Sequence, residues 1–213
     1  MENDLLQKLV DKTLTKEDLL QQTKNNYDLI PTVLNGTNSS KAAIRYGCAK
    51  VLVDLSEEHP EVIYPYIDDF IALLDSKYRI LTWNAIAIIA NLVIIDEDRK
   101  FDVIFDKYYS FIDDEYMVTV ANIVGHSGKI ALAKPYLIER ITDKLLTVEN
   151  ISTTPHLSEE CKRVIAERAI KSFDVFFDKI KQKERVILFV KEYLLSSRKS
   201  LGKTATSFLE KWC

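Results

Sequence analysis

Residues 75–92 read DSKYRILTWNAIAIIANL, and residues 39–55 read SSKAAIRYGCAKVLVDL, with the same order of a polar turn followed by a mostly apolar stretch. A shift of 37 residues aligns four positions of the earlier stretch with four of the later one: Cys48, Leu52, Asp54 and Leu55 with Ala85, Ile89, Asn91 and Leu92. The apolar members recur at i, i+4 and i+7, the spacing of one face of an α-helix. The alignment therefore predicts two related helices, each preceded by a turn.

The same pattern occurs along the rest of the chain. Similar helices begin after short polar turns at intervals of 36, 38, 45 and 39 residues, the turns lying at Ser39, Asp75, Asp113, Ser158 and Ser197. A period near 40 that contains two antiparallel helices is typical of helical solenoids, whose repeats bury their apolar faces against one another. The spacing thus predicts an array of helix pairs.

The composition supports a fold made of helices. The chain has 213 residues with 5 Gly and 5 Pro, whereas average usage predicts roughly 25 of the two together. Sheet folds need such turn residues about every 8–12 positions. Hydrophobic residues make up 47% and charged residues 29%, which excludes disordered, collagenous and disulfide-rich secreted classes. We predict an all-α fold, an α-α superhelix, with no strand.

Several helices can be located from their local signals. Residues 60–76, PEVIYPYIDDFIALLDS, carry one apolar helical stripe that begins after Pro60, and its members are Ile63, Ile67, Phe70, Ile71 and Leu74. Thr15 and Asp18 have the spacing of a capping box. Ser158 precedes two acidic residues and is predicted to cap the next helix, because the positive end of the helix dipole favours acids there.

The five turn–helix stretches resemble the repeats of the HEAT and armadillo families. The remaining three stretches are DDEYMVTVANIV at 113–124, SEECKRVIAERAI at 158–170 and SSRKSLGKTATSFL at 196–209. The resemblance covers about residues 27–213. It implies a HEAT-like solenoid of about five helix pairs, with the second helix of each pair lining a concave surface that binds other macromolecules, usually proteins.

This resemblance gives a domain plan. We predict a single helical-repeat domain over 1–213, with an N-terminal cap over 1–26. The predicted helix pairs span 27–57, 60–95, 97–126, 128–180 and 181–213. The third pair is expected to be short and to end in a turn at Gly125-His126-Ser127-Gly128, because glycine commonly follows the last turn of a helix.

Sequence motifs for catalysis are missing. The chain has no G-x-G-x-x-G, no phosphate-binding loop, no H-E-x-x-H and no Cys-x-x-Cys. Ser127 and His126 are adjacent, and neighbours rarely adopt the geometry of a nucleophile and its base. We therefore expect no catalytic residue, no metal site and no cofactor.

The sequence also predicts a compartment. The first residues mix charges into what would be an apolar signal core, and the longest apolar run, 85–95, is much shorter than the roughly 18–20 residues that cross a bilayer. Three scattered cysteines imply no disulfide framework. We expect a cytoplasmic protein that does not enter a membrane.

A row of polar residues on the second helices is the first candidate site. Asn84 and Asn91 share a helix face, and Asp54 and Asn122 align with Asn91 in neighbouring pairs. An asparagine in an apolar helix is costly unless it is hydrogen-bonded. Two interpretations stay open, namely a ladder of hydrogen bonds between repeats and a partner-binding stripe that has Trp83 and Arg45 as anchors.

A basic C-terminal third is the second candidate site. Residues 159–213 contain 13 Lys+Arg and 8 Asp+Glu, although the whole chain has a net charge of −3. Arg163, Lys199 and Lys203 are our candidate binding residues there. Such a surface suits an acidic protein or a nucleic acid. The alternative is an ordinary solvated surface, because acidic residues are interspersed, and the chain's pI of about 5.7 argues against nucleic acid.

Two functions follow. The first is a non-catalytic scaffold that binds a protein partner through its concave surface. The alternative is a DNA repair enzyme similar to the HEAT-like alkylpurine glycosylases, a resemblance that implies a concave cluster of aromatic, Asp and Arg residues. Trp83, Trp212 and Arg163 are available for it, but Asn84, Asn91 and Asn122 stand where a carboxylate is needed.

Overall fold

The computed structural model describes residues 4–213, and these residues form an all-α fold, which confirms the predicted fold class. Over this range the only β pairing is an isolated bridge between Thr154 and Leu157. No helix in the described part of the chain is both long and apolar enough to span a membrane. The helices form two compact units, the first ending at Phe101 and the second comprising Asp102–Cys213.

The first unit begins with two short helices and continues with helix pairs. Helices α1 and α2 are Asp4–Val10 and Lys16–Asn25, and they are followed by α3 (Ile30–Gly36), α4 (Ala42–Glu58), α5 (Pro60–Ile63), α6 (Ile67–Leu73) and α7 (Arg79–Leu92). The capping box is confirmed, since Thr15 Oγ1 accepts from Asp18 N at 3.0 Å and Asp18 Oδ2 accepts from Thr15 N at 3.1 Å.

The predicted helix over residues 60–76 is broken. A 3-10 turn, Tyr64–Tyr66, separates α5 from α6. Pro65 explains the break, because proline lacks the backbone N–H that would continue the hydrogen bonds of the helix. The predicted apolar stripe survives, and four of its members are fully buried: Ile63, Ile67, Phe70 and Leu74. They pack, together with the buried residues of α4 and α7, into the core of this unit.

The second unit contains three helix pairs. The division between the units falls within α8 (Lys100–Ser110), which is followed by α9 (Met117–Ala133), α10 (Ile138–Leu146), α11 (Glu159–Phe176), α12 (Lys183–Lys191) and α13 (Lys199–Trp212). Helix α11 packs between α9 and α13. Ser158 caps α11 as predicted, its hydroxyl accepting from Cys161 N at 3.3 Å.

The predicted turn at Gly125–Gly128 is wrong, because α9 continues through it to Ala133. The two glycines permit close helix packing instead. A Cβ on Gly128 would lie 3.2 Å from Val175 Cβ and 3.4 Å from Ser172 O, both on α11. The predicted boundary between the pairs 97–126 and 128–180 therefore moves to the turn after Ala133. The assignment of all helices to a single domain stays a prediction.

The first helices of successive pairs are joined by side chains that the sequence reading did not single out. In the first unit Lys100 Nζ donates to Asp68 at 2.7 Å. In the second unit Tyr136 donates to Asp102 at 2.8 Å, Arg140 to Asp106 at 3.1 Å and Arg185 to Asp143 at 2.5 Å. In each case an acid on one first helix accepts from the residue about one repeat later.

Candidate binding surface

The exposed side of α9, α11 and α13 is the candidate site, and we call it the second-helix face of the second unit. On α9 it is a stripe at the helical positions i, i+4, i+7, i+11 and i+14: Val118, Asn122, Gly125, Lys129 and Leu132. On α11 and α13 its members are Arg168, Lys171, Val175, Lys203 and Ser207. The face thus combines exposed apolar side chains with lysine and arginine.

A row of acids on α11 holds α13 in place beside it. Glu160, Glu167 and Asp174 are seven residues apart, so they lie on one side of the helix. Glu160 accepts from Arg198 Nη1 at 2.5 Å, and Asp174 accepts from Lys211 Nζ at 2.8 Å and from Trp212 Nε1 at 2.7 Å. These carboxylates are therefore occupied within the protein.

Glu167 is the most strongly held member of this row. Its carboxylate is buried and accepts from Lys171 Nζ at 2.6 Å, Ser200 Oγ at 2.7 Å and Arg198 Nε at 3.1 Å. Burial by itself would raise the pKa of Glu167, but the hydrogen bonds from Lys171, Ser200 and Arg198 outweigh it and bring the pKa to about 2. The side chain is a stable internal anion at neutral pH.

Between α11 and α13 lies an open groove of about 350 Å³. We call it the α11–α13 groove, and its walls include Ile170, Lys171 and Asp174 from α11 and Lys203, Phe208 and Lys211 from α13. Three lysines line it against one carboxylate, which already accepts from Lys211 and Trp212. Ile170 and Phe208 are buried at its base.

Arg168 has a fixed position on the same face. Its Nη1 donates to the backbone oxygen of Ala121 on α9 at 3.1 Å. The guanidinium lies over Gly125, where an added Cβ would be 3.3 Å from Nη1. Among residues 4–213 it forms no ion pair with a carboxylate, so its charge is uncompensated locally.

The neighbouring His126 lies beside two cations of this region. Burial is the main cause that lowers the pKa of its imidazole, and together with the charges of Lys129 and Arg168 it brings the pKa to about 4. Ser127 is buried and donates to Ile123 O at 2.8 Å while accepting from Tyr109 at 3.1 Å. The Ser127 hydroxyl is therefore part of the core rather than a nucleophile.

The predicted basic residues occupy two different places. Lys203 lines the α11–α13 groove, and Lys199 and Lys203 both line an adjoining depression at the start of α13. Arg163 lies elsewhere, in a pocket of about 360 Å³ with Glu149 and Glu192, and it pairs with Glu160 at 3.1 Å. Arg163 is therefore separate from the groove.

Arg45 in the first unit is a structural residue, contrary to its prediction as a partner anchor. It is 5% exposed, its Nη1 donates to Ser39 O at 2.7 Å, and its guanidinium lies 3.7 Å from the ring centre of Tyr78. The side chain thus joins the turn before α4 to the start of α7. Its charge is stabilised by the Ser39 carbonyl and by the aromatic ring of Tyr78.

The row of polar residues on the second helices was given two interpretations, a ladder of hydrogen bonds between repeats and a partner-binding stripe, and its members differ in which one they fit. Asn91 is buried and bonds to Ser56 on α4, so it links two helix pairs and is excluded from a binding surface. Asp54 pairs with Lys50 on its own helix at 2.5 Å. Trp83 and Asn84 are half-buried on α7, and Asn122 is half-buried on α9. A binding role for these last three residues and for Asp54 stays a prediction.

Sequence reasoning missed part of the second-helix face. Val118, Leu132 and Val175 were not singled out, because a helix end at Gly125 removes the stripe that continues from Val118 to Leu132. Arg168 and Lys171 were visible as basic residues, but their positions beside Gly125 and beside Lys203 depend on how the helices pack. No group of metal-ligating side chains occurs within the described range.

Solved helical-repeat proteins resemble this chain over nearly its full length. A designed armadillo repeat protein has a TM-score of 0.61 at 17% identity, covering 96% of this chain and 90% of that one. A designed armadillo repeat protein in complex with the peptide (KR)4 has a TM-score of 0.63 at 16% identity, covering 98% and 91%. An engineered protein has a TM-score of 0.57 at 15% identity, covering 90% and 83%.

At these identities the similarity shows the fold, which is an armadillo/HEAT-like helical repeat and confirms the resemblance. No protein-family model and no curated protein matches the chain.

Proposed function

We propose that this chain is a non-catalytic helical-repeat scaffold that binds a segment of another protein on the second-helix face of residues 102–213. One observation carries the proposal: the face exposes Val118, Leu132 and Val175, which are 41%, 44% and 48% accessible, beside Lys171 and the uncompensated Arg168. An exposed apolar patch with polar and charged residues at its rim marks a surface that binds proteins.

The similar structures support the same kind of function. One of them is a designed armadillo repeat protein in complex with a peptide. A stack of second helices offers a long surface on which an extended segment can contact several repeats. We extend the proposal to a cytoplasmic location, because Cys48, Cys161 and Cys213 are unpaired thiols.

No observation favours the glycosylase alternative. Trp83 belongs to the first unit, while Arg163 and Trp212 belong to the second. Trp212 directs its Nε1 to Asp174 at 2.7 Å, and Arg163 pairs with Glu160 at 3.1 Å. These contacts give both residues a structural explanation.

The proposal is tested by selecting binders from a displayed library of random peptides, with nuclease present throughout. The selected peptides are then titrated against the wild type, the double variant Val118→Glu/Leu132→Glu and the control Val103→Glu. Val103 is 86% exposed on the first helix α8, so the control replaces an exposed apolar side chain with glutamate away from the face.

We expect the double variant to weaken binding by at least about tenfold, or about 1.4 kcal/mol, and the control to leave it unchanged. Circular dichroism establishes that each variant is folded. Equal binding by the double variant and the wild type would contradict the proposal, as would a selection that returns no peptide.

A further inference from the structure

We propose that the α11–α13 groove and the adjoining Arg168 bind an acidic stretch of the partner protein, whose carboxylates contact Arg168, Lys171 and Lys203. This inference rests on the proposed function and names the chemistry of the segment that is bound. It follows from which charges the protein neutralises internally and which it leaves exposed.

The acids of α11 are used within the protein. Each acid of the row accepts hydrogen bonds from α13 or the residue before it: Glu160 from Arg198, Glu167 from Ser200, and Asp174 from Lys211 and Trp212. Each of these three carboxylates therefore has its charge balanced by a cation or hydrogen-bond donor within the protein.

The cations that remain lie on the exposed side. Arg168, Lys199 and Lys203 form no ion pair with any carboxylate over residues 4–213. Lys171 pairs with Glu167, but its own side chain is 62% exposed and stays open to a second carboxylate. Glu210 is an exposed acid near the end of α13 and is not among the residues that line the groove.

Arg168 is prepared for this contact. Its hydrogen bond to Ala121 O holds the guanidinium over Gly125, so little side-chain entropy is lost when a carboxylate binds. Guanidinium is also the group that best matches a carboxylate, through two parallel hydrogen bonds. The missing Cβ at Gly125 leaves room for that approach.

A protein segment fits this surface better than a nucleic acid. Nucleic-acid binding depends on Lys and Arg side chains that neutralise several phosphates, whereas the face offers a few cations in a chain with a net charge of −3. Val118, Leu132 and Val175 lie on the same face and suit apolar side chains between the acids. The expected ligand therefore combines acidic with apolar residues.

The test uses fluorescence anisotropy with the full chain and four labelled probes. Three are peptides of equal length that alternate Val with Glu, with Gln or with Lys, and the fourth is a single-stranded oligonucleotide with the charge of the Glu peptide. The variants are Arg168→Glu, Lys203→Glu and the control Lys191→Glu, which reverses an exposed charge on the first helix α12.

We expect the Glu peptide to bind most tightly, and added salt to weaken it because ions screen exposed charges. Arg168→Glu and Lys203→Glu should each weaken it about tenfold or more, while Lys191→Glu changes it less than about twofold. Equal affinity for the Glu and Gln peptides, or tighter binding of the oligonucleotide, would overturn the inference.

The two proposals fail in different ways. One outcome is that the library peptides of the preceding section lose affinity for Val118→Glu/Leu132→Glu and keep wild-type affinity for Arg168→Glu and Lys203→Glu. In that case the scaffold function stands and the proposal of an acidic partner segment is wrong. If the library peptides still bind Val118→Glu/Leu132→Glu with wild-type affinity, and the Glu peptide binds the wild type no more tightly than the Gln peptide, both proposals are overturned.

Discussion

The side-chain amide of Asn91 on α7 donates to the hydroxyl of Ser56 on α4, with Nδ2 and Oγ 2.9 Å apart. Both side chains are buried, and the two helices are the second helices of successive pairs. Ser56 Oγ in turn donates to Val53 O at 2.7 Å. The bond therefore connects one repeat to the next inside the core of the first unit.

Replacing Asn91 is expected to destabilise the first unit. Asn91→Leu removes the donor to Ser56 and places an apolar group beside the remaining hydroxyl, and losing one partner of a buried hydrogen bond costs about 1–3 kcal/mol. Urea unfolding followed by circular dichroism measures the free energy of unfolding.

The control is Asn84→Leu, seven residues earlier on the same helix, where the side chain is half-buried. It should change the free energy of unfolding by less than about 0.5 kcal/mol. The double variant Asn91→Leu/Ser56→Ala should recover part of the loss, since both polar groups are then absent. Equal effects at Asn91 and Asn84 would contradict the assigned role.

Because α9 packs closely against α11, substitutions at two glycines of α9 are expected to change stability in opposite directions. Gly128→Val should destabilise by about 1–3 kcal/mol, because its side chain would meet Val175 and the backbone oxygen of Ser172. Gly125→Ala should stabilise by about 0.5–1 kcal/mol, because its added methyl meets only Arg168 Nη1, at 3.3 Å, and the end of that long side chain can shift by the few tenths of an ångström required. Thermal unfolding of the two variants checks the prediction, and destabilisation by both would show that Gly125 is as confined as Gly128.

The sequence predicted the repeats well, because apolar spacing and turn residues are local signals. Its two errors in the helices have one cause. The break at Pro65 and the continuity through Gly125 and Gly128 depend on the effects of single Pro and Gly residues within a helix, and at Gly128 the neighbouring helix α11 is what favours continuity. Neither effect follows from periodicity.

The candidate site was predicted only in part. Lys199 and Lys203 were identified from the basic C-terminal third, and both lie on α13 beside depressions in the surface. Arg45 and Asn91 were also predicted from the sequence as binding residues, yet both are buried. The difference depends on long-range partners, Tyr78 for Arg45 and Ser56 for Asn91, which no local pattern reveals.

Glu167 should make the second unit sensitive to strong acid. Its folded pKa of about 2 lies below its ordinary value near 4.5, so its contribution is complete above pH 4.5 and is lost as the pH falls toward 2. That contribution is on the order of 2–3 kcal/mol.

Glu167→Gln should therefore lower stability at pH 7 and flatten the decline between pH 4.5 and 2, as measured by urea unfolding at a series of pH values. The control is Asp106→Asn, an exposed pair with Arg140 whose carboxyl side chain is 77% accessible and which contributes little. An unchanged acid decline in Glu167→Gln would refute the prediction.

His126 should control stability at milder pH. Burial, assisted by the charges of Lys129 and Arg168, lowers its folded pKa to about 4, below the ordinary value of 6.5. The unfolded chain therefore binds more protons between these values, and stability is lost as the pH falls from about 6.5 to about 4. The loss is at most about 3.4 kcal/mol for a difference of this size.

His126→Asn removes the titrating ring and should abolish the decline between pH 6.5 and 4, while the decline attributed to Glu167 below pH 4.5 remains. Because the two windows overlap only near pH 4, unfolding curves of the single variants and of His126→Asn/Glu167→Gln separate the two groups. The control His156→Asn replaces an exposed histidine that stacks on Tyr116, and the decline assigned to His126 should persist in it. A decline from pH 6.5 that persists in His126→Asn would show that another group is responsible.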